Sequence, residues 1–134
     1  IRDRFSSQNY TEFAGQWSSR DIYPRWKHAA NLTYTRGPWS GTLVQQYTTG
    51  YKDQVPFAPP PGFNPNVKEY VIYHASVTYT GIKRTSLTFG VKNLFDTDPP
   101  FTAHNLDFTP GAGWDPRVAD PRGRSFVARA SYTF

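Results

Sequence analysis

The 134-residue sequence contains neither cysteine nor methionine. Without cysteine there are no disulfides, thiolate metal sites or Cys nucleophile, and sulfur chemistry leaves the redox compartment undetermined. The lack of methionine, in a chain that opens Ile1-Arg2-Asp3 with no secretory signal visible, points to a fragment or processed product of a longer polypeptide. Long hydrophobic runs are missing too. Apolar residues make up 37% of the chain, and no stretch approaches the roughly 18 a membrane helix needs, so a helical membrane protein is excluded. Acidic residues are in the minority, ten against fifteen basic. The basic ones are scattered rather than clustered, so the net charge of +5 does not mark a nucleic-acid interface. What the chain does have is rings and breakpoints: nine Tyr, ten Phe, four Trp, twelve Pro and ten Gly. Large amphipathic side chains on short segments remain compatible with a transmembrane β-barrel, whose strands alternate apolar and polar and average to a hydrophilic chain.

Period-two alternation predicts the strands. In 25–35, Trp26, His28, Ala30, Leu32 and Tyr34 share one face, and Arg36-Gly37-Pro38 ends the segment in a turn tight enough for a hairpin. The return segment 39–49 puts Trp39, Gly41, Leu43 and Tyr47 against Ser40, Thr42, Gln46 and Thr48, with Val44 and Gln45 breaking the pattern. Segment 68–80 sets Val71, Tyr73, Ala75, Val77 and Tyr79 opposite Tyr70, Ile72, His74, Ser76 and Thr78. Gly81 marks a reversal into 82–94, where Leu87, Phe89 and Val91 oppose Arg84, Ser86, Thr88 and Lys92. The closing segment 124–134 carries Phe126, Ala128, Ala130, Tyr132 and Phe134 on one face and Ser125, Val127, Arg129, Ser131 and Thr133 on the other. About eleven residues at roughly 3.4 Å, tilted by about 40°, rise close to 30 Å, the depth of a hydrocarbon core.

Residues 1–24 read as loop or partial strand, and 25–134 as an antiparallel up-and-down meander of about five strands. Two long loops interrupt it: 50–67 with five prolines that no central strand tolerates, and 95–123, rich in Asp, Pro and Gly. Connections alternate short, long, short, long, which places every tight turn at one end of the meander and every long loop at the other. Outer-membrane barrels sort their loops this way.

The run Val91-Lys92-Asn93-Leu94-Phe95-Asp96, with Asp98-Pro99-Pro100, Trp114-Asp115-Pro116-Arg117, Asp120-Pro121-Arg122-Gly123-Arg124 and the closing Tyr132-Thr133-Phe134, resembles the C-terminal end of TonB-dependent outer-membrane receptors. The resemblance extends back through Arg36-Gly37-Pro38-Trp39-Ser40 to about Tyr23. It implies the last five strands of a 22-stranded barrel in the bacterial outer membrane, serving energised uptake of a siderophore, cobalamin or oligosaccharide. The partners it implies are the remaining strands and plug of the same receptor, the TonB complex, the lipid bilayer, and the assembly machinery that reads Phe134. No nucleic acid and no cofactor is expected. This segment has no plug or TonB-contact sequence of its own, and five strands cannot close a barrel.

Loop aromatics Phe57, Phe63, Phe101, Phe108 and Trp114, with Arg117, are the ligand-contact candidates. Asn93, Leu94, Phe95, Asp96, Gly123, Arg124 and Phe134 are expected to be structural: Asn93 and Asp96 as Asx-type caps where a strand meets its loop, Arg124 as a rim anchor pairing with a loop carboxylate. Asp96, Asp98, Asp107, Asp115 and Asp120 could offer oxygens to Ca²⁺, but their irregular spacing beside prolines favours turn chemistry. His28, His74 and His104 lie in separate segments, and His74 falls on the polar face. No nucleophile with a base at motif spacing, phosphate-cradling glycine loop or paired-carboxylate signature occurs, so the chain is not read as an enzyme. A soluble all-β carbohydrate-binding module is the alternative.

Overall fold

The computed structural model describes residues 14–18, 21–55, 58–102 and 113–134. Among them every regular element is a strand, and the chain forms two compact units. One gathers residues 1–27, 48–70 and 99–119; the other holds 28–47, 71–98 and 120–134.

The first unit contains short strands: β1 (Gln16–Ser18), β2 (Asp21–Tyr23), β5 (Tyr51–Lys52) and β6 (Asn66–Val67), in sheet order β2-β1-β5-β6. The segment 50–67, expected to be loop throughout, thus carries two strand pieces, and β5 pairs antiparallel with β6. The prolines restrict this to two-residue ladders at either end of the Pro-rich stretch, because Pro has no N–H to donate. Gly50 permits the approach: a Cβ there would stand 2.4 Å from the Val67 carbonyl oxygen, a backbone atom that cannot move aside. Ile22, Tyr51 and Val67 form the buried apolar core of this unit, with Val118 packed on them.

The second unit is built on a five-stranded sheet in the order β3-β4-β7-β8-β9. Its strands are β3 (Lys27–Arg36), β4 (Trp39–Thr48), β7 (Tyr70–Tyr79), β8 (Thr85–Lys92) and β9 (Ser125–Tyr132). The β7–β8–β9 register aligns Val77, Phe89 and Ala128 in one row and Thr78, Thr88 and Arg129 in the next. Thr33 with Thr42, Thr35 with Ser40, and the stacked rings of His28 and Tyr47 fall on one β3–β4 register. The alternation in the sequence therefore becomes one apolar and one polar face. The break at Val44 and Gln45 involves no bulge: the pairing runs straight through, and Gln45 sits on the apolar face with its Nε2 donating to the Tyr73 hydroxyl at 2.8 Å. That bond pairs the amide N–H with a hydroxyl on a mostly apolar surface.

Loop sorting is visible in the hydrogen bonds. Thr80 N–H donates to the Pro38 carbonyl at 2.9 Å, so the β3–β4 and β7–β8 turns are neighbours at one end, while 49–69 and 93–124 leave from the other. The β7–β8 reversal does not centre on Gly81. It is closed by Thr85 N–H to Ile82 C=O at 3.1 Å, and Arg84 adopts φ 58°. Arg84, expected on the polar face of a strand, is a turn residue held in a left-handed conformation that costs a non-glycine residue about 1 kcal/mol.

The apolar face of the five-stranded sheet is exposed along its length. Leu32, Tyr34 and Phe126 are 66–70% exposed and Phe89 53%. Rings cluster at both ends of the apolar face: Trp39 with Tyr79 (centroids 4.6 Å) and Tyr132 with Phe134 (5.4 Å) at the tight-turn end, Tyr73 with Phe95 (5.3 Å) at the loop end.

Candidate functional site

The Asn-Leu-Phe-Asp run forms the root of the 93–124 loop. At Asn93 the β7–β8 ladder ends by slipping one residue: Leu94 N–H, not Asn93 N–H, donates to the Tyr73 carbonyl, at 2.7 Å. Asn93 takes φ 52°, a left-handed conformation Asn accepts better than most residues. Its side chain is buried and bonds Thr97 twice, Nδ2 to the Thr97 carbonyl at 3.0 Å and Oδ1 from Thr97 N–H at 2.9 Å. Its freed main-chain N–H donates to Nδ1 of His74 at 3.1 Å. Asp96 then reaches the far side of the loop, with Oδ1 accepting from Arg124 N–H at 2.8 Å. Arg124 meets its carboxylate through the main chain. Gly123 stands beside this contact at φ 65°, where a Cβ would be 3.1 Å from Asp96 Oδ1. Phe95 is two-thirds exposed and Phe134 entirely so.

The loop candidates are held by different chemistry. Phe63 is half-buried and follows a turn closed by its N–H to the Pro60 carbonyl at 3.0 Å. Phe101 is 73% exposed beside Gly113, and Trp114 is half-buried. Phe57 and Phe108 lie outside the described residues, as do Asp107 and His104. Arg117 is engaged within its own turn: Nε and Nη2 bond Asp115 Oδ1 and Oδ2 at 3.0 and 2.7 Å, and its main-chain N–H adds a bond to Oδ1 at 2.8 Å. Among the described residues no group of three His, Cys, Asp or Glu converges as metal ligands, and Asp96, Asp115 and Asp120 all accept bonds from N–H groups.

Two polar pairings were not anticipated from the sequence. In the first unit, Thr102 Oγ1 donates a short bond to the buried Asp53 carboxylate across 49 positions, and Tyr51 hydrogen-bonds Thr102. Burial pushes the Tyr51 phenol far up; the Thr102 bond opposes the effect and Asp53 and Asp115 add to it, so the phenol stays protonated. Thr102 thus joins Tyr51 and Asp53 and fastens the two long loops. Nothing local in the sequence signals that pairing. The second feature had a visible signal, the repeated tripeptide Asp-Pro-Arg. Asp120-Pro121-Arg122 repeats the Asp115 turn, with Arg122 Nε and Nη2 on Asp120 at 2.9 and 2.6 Å.

The two turns share geometry and differ in burial: the Asp115 side chain is fully enclosed, the Asp120 side chain 46% exposed. Hydrogen bonds from Arg122, then its charge and that of Lys92, hold the Asp120 carboxyl down at about 2 against an ordinary 3.8. The pair's contribution is thus present above pH 3.8 and lost as pH falls to about 2. Being exposed, it is small and screened by salt. A carboxyl-carbon NMR titration is expected to place Asp120 at about 2, and Arg122→Ala to return it toward 3.8. An unshifted Asp120 in the unsubstituted chain would refute the pairing.

On the polar face of the sheet a depression is lined by Thr42, Gln46, His74, Lys92, Asp120 and Arg122, among others. The five long strands contain no acidic residue; the sheet's own cations on that face are Lys27, Lys92 and Arg129. No protein-family model, curated protein or solved structure matches the chain.

Proposed function

We propose that this chain supplies C-terminal transmembrane strands of a TonB-dependent outer-membrane receptor, the last five of a 22-stranded barrel for energised uptake of a scarce ligand. The observation that carries the reading is the five-stranded antiparallel sheet with one uncovered apolar face and rings at both ends of it. Exposed to water, so large an apolar surface is unfavourable; against acyl chains it costs nothing, and rings at its ends suit the headgroup boundary. The ten-residue strands β3, β4 and β7 span about 34 Å, or about 26 Å at the tilt usual in barrels, and the eight-residue β8 and β9 about 27 Å, or about 21 Å tilted, against an apolar band of roughly 25 Å. The edge strands β3 and β9 leave backbone donors and acceptors for further strands of the same barrel. A soluble carbohydrate-binding sandwich would need a second sheet over the apolar face.

In this reading the Asn93–Asp96 turn roots an extracellular loop, the polar face lines the lumen toward the plug, and Phe134 at the periplasmic end is read by the assembly machinery. The loop aromatics Phe63, Phe101 and Trp114 are the ligand-contact surface. A chain retaining Trp39 as its only tryptophan, embedded in vesicles, is expected to lose fluorescence to brominated acyl chains and to resist aqueous acrylamide. The opposite pattern would remove the membrane assignment.

A further inference from the structure

We propose that His74 is a pH-sensitive latch on the root of the 93–124 loop. The bond that holds Asn93 N–H uses the Nδ1 lone pair of His74, so the imidazole must be neutral with its proton on Nε2. Imidazole changes charge between about pH 5 and 8. Once protonated, Nδ1 becomes a donor facing a donor, and the buried Asn93 N–H, already outside the strand ladder, is left without its acceptor. The Asn93–Thr97 bonds and the Asp96 cap on Arg124 follow directly in the chain, so loss of the latch loosens the point where both ends of the loop meet. The ring borders the depression on the polar face, from which a proton can reach it.

The charged groups that share this depression are Lys92 from β8 and Asp120 and Arg122 from the turn before β9; β4 contributes Thr42, Val44 and Gln46, none of them ionisable. Asp120 is paired with Arg122, which leaves Lys92 as the further charge bordering the depression. The latch is closed while the imidazole is neutral and released once it is protonated. It depends on unit geometry alone and not on the membrane assignment.

Hydrogen exchange of the amides in 93–97 tests it in the full folded polypeptide, between pH 7.5 and 5.0 and corrected for intrinsic exchange rates. Protection is expected to fall by about 5- to 150-fold as the pH drops, with the β8 centre at Thr88 and Phe89 unchanged. His74→Asn, whose Oδ1 offers an acceptor near the Nδ1 position and does not titrate, is expected to keep protection at both pH values. His74→Phe is expected to lose it at both. Flat protection in the unsubstituted chain, or pH dependence that persists in His74→Asn, overturns the proposal. If His74→Asn does not assemble, the ring ¹⁵N spectrum of the unsubstituted chain decides: an Nδ1–H tautomer at neutral pH is incompatible with the latch.

Discussion

Ala128→Arg is expected to destabilise the protein in lipid by about 2–4 kcal/mol, whereas Val127→Arg, one residue away, is expected to cost at most about 1 kcal/mol. Ala128 lies mid-strand on β9 in a row with Phe89 and Val77, at the centre of the apolar face. An arginine there would have to bury its charge among acyl chains or thin the bilayer around itself. Val127 pairs with Gly90 and Ser76 on the polar face, where a further cation joins Lys92 and Arg129 in contact with water. Denaturant unfolding in lipid vesicles measures both. Because both residues are exposed in the isolated sheet, a water-facing sheet would tolerate the two substitutions equally, and equal costs would sink the membrane reading.

The second large effect is expected at Asp115. Asp115→Ala should destabilise the first unit by about 2–3 kcal/mol, while Asp120→Ala, at the twin turn, should leave stability unchanged within error. Asp115 is enclosed, and its Oδ1 accepts both the Nε and the main-chain N–H of Arg117 while Oδ2 takes Nη2. Its removal strands a peptide N–H and deprives the guanidinium of its anion. The estimate stays below that for breaking a wholly buried pair, because Arg117 is 34% exposed and its charge can turn toward water. Asp115→Asn retains an acceptor for the Arg117 N–H and should recover part of the loss. Exchange at the amides of Val118 and Ala119, which donate to the Asp115 carbonyl at 3.1 and 3.0 Å, reports on the same turn. Indistinguishable effects of Asp115→Ala and Asp120→Ala would show that burial does not separate the twins.

The predicted and observed strands agree where side-chain alternation is strong. The 39–49 segment was the least regular, and it became one unbroken strand because Gln45 found the Tyr73 hydroxyl, a partner 28 positions away. The β7–β8 reversal was misplaced for the converse reason. Gly81 is the obvious turn residue in the sequence, yet the ladder runs through Tyr79 and hands the left-handed conformation to Arg84. The capping expected of Asn93 and Asp96 takes its form from distant groups. Asn93 closes onto Thr97 and His74, and Asp96 reaches across the loop to Arg124.

By itself, then, the sequence determined the all-β fold class, the alternation of its five long strands and the sorting of its connections. Each of these rests on nearest-neighbour rules: a two-residue side-chain period, the missing N–H of proline and the shortness of Arg36-Gly37-Pro38. The fastening of 50–67 to 99–119 through Tyr51, Thr102 and Asp53, the burial that separates Asp115 from Asp120, and the His74 acceptor beneath Asn93 were decided only by the tertiary structure. Those depend on which polar groups lose water together. That is settled when segments some twenty to fifty residues apart are packed side by side, where a buried donor or acceptor must find whatever partner the fold brings to it.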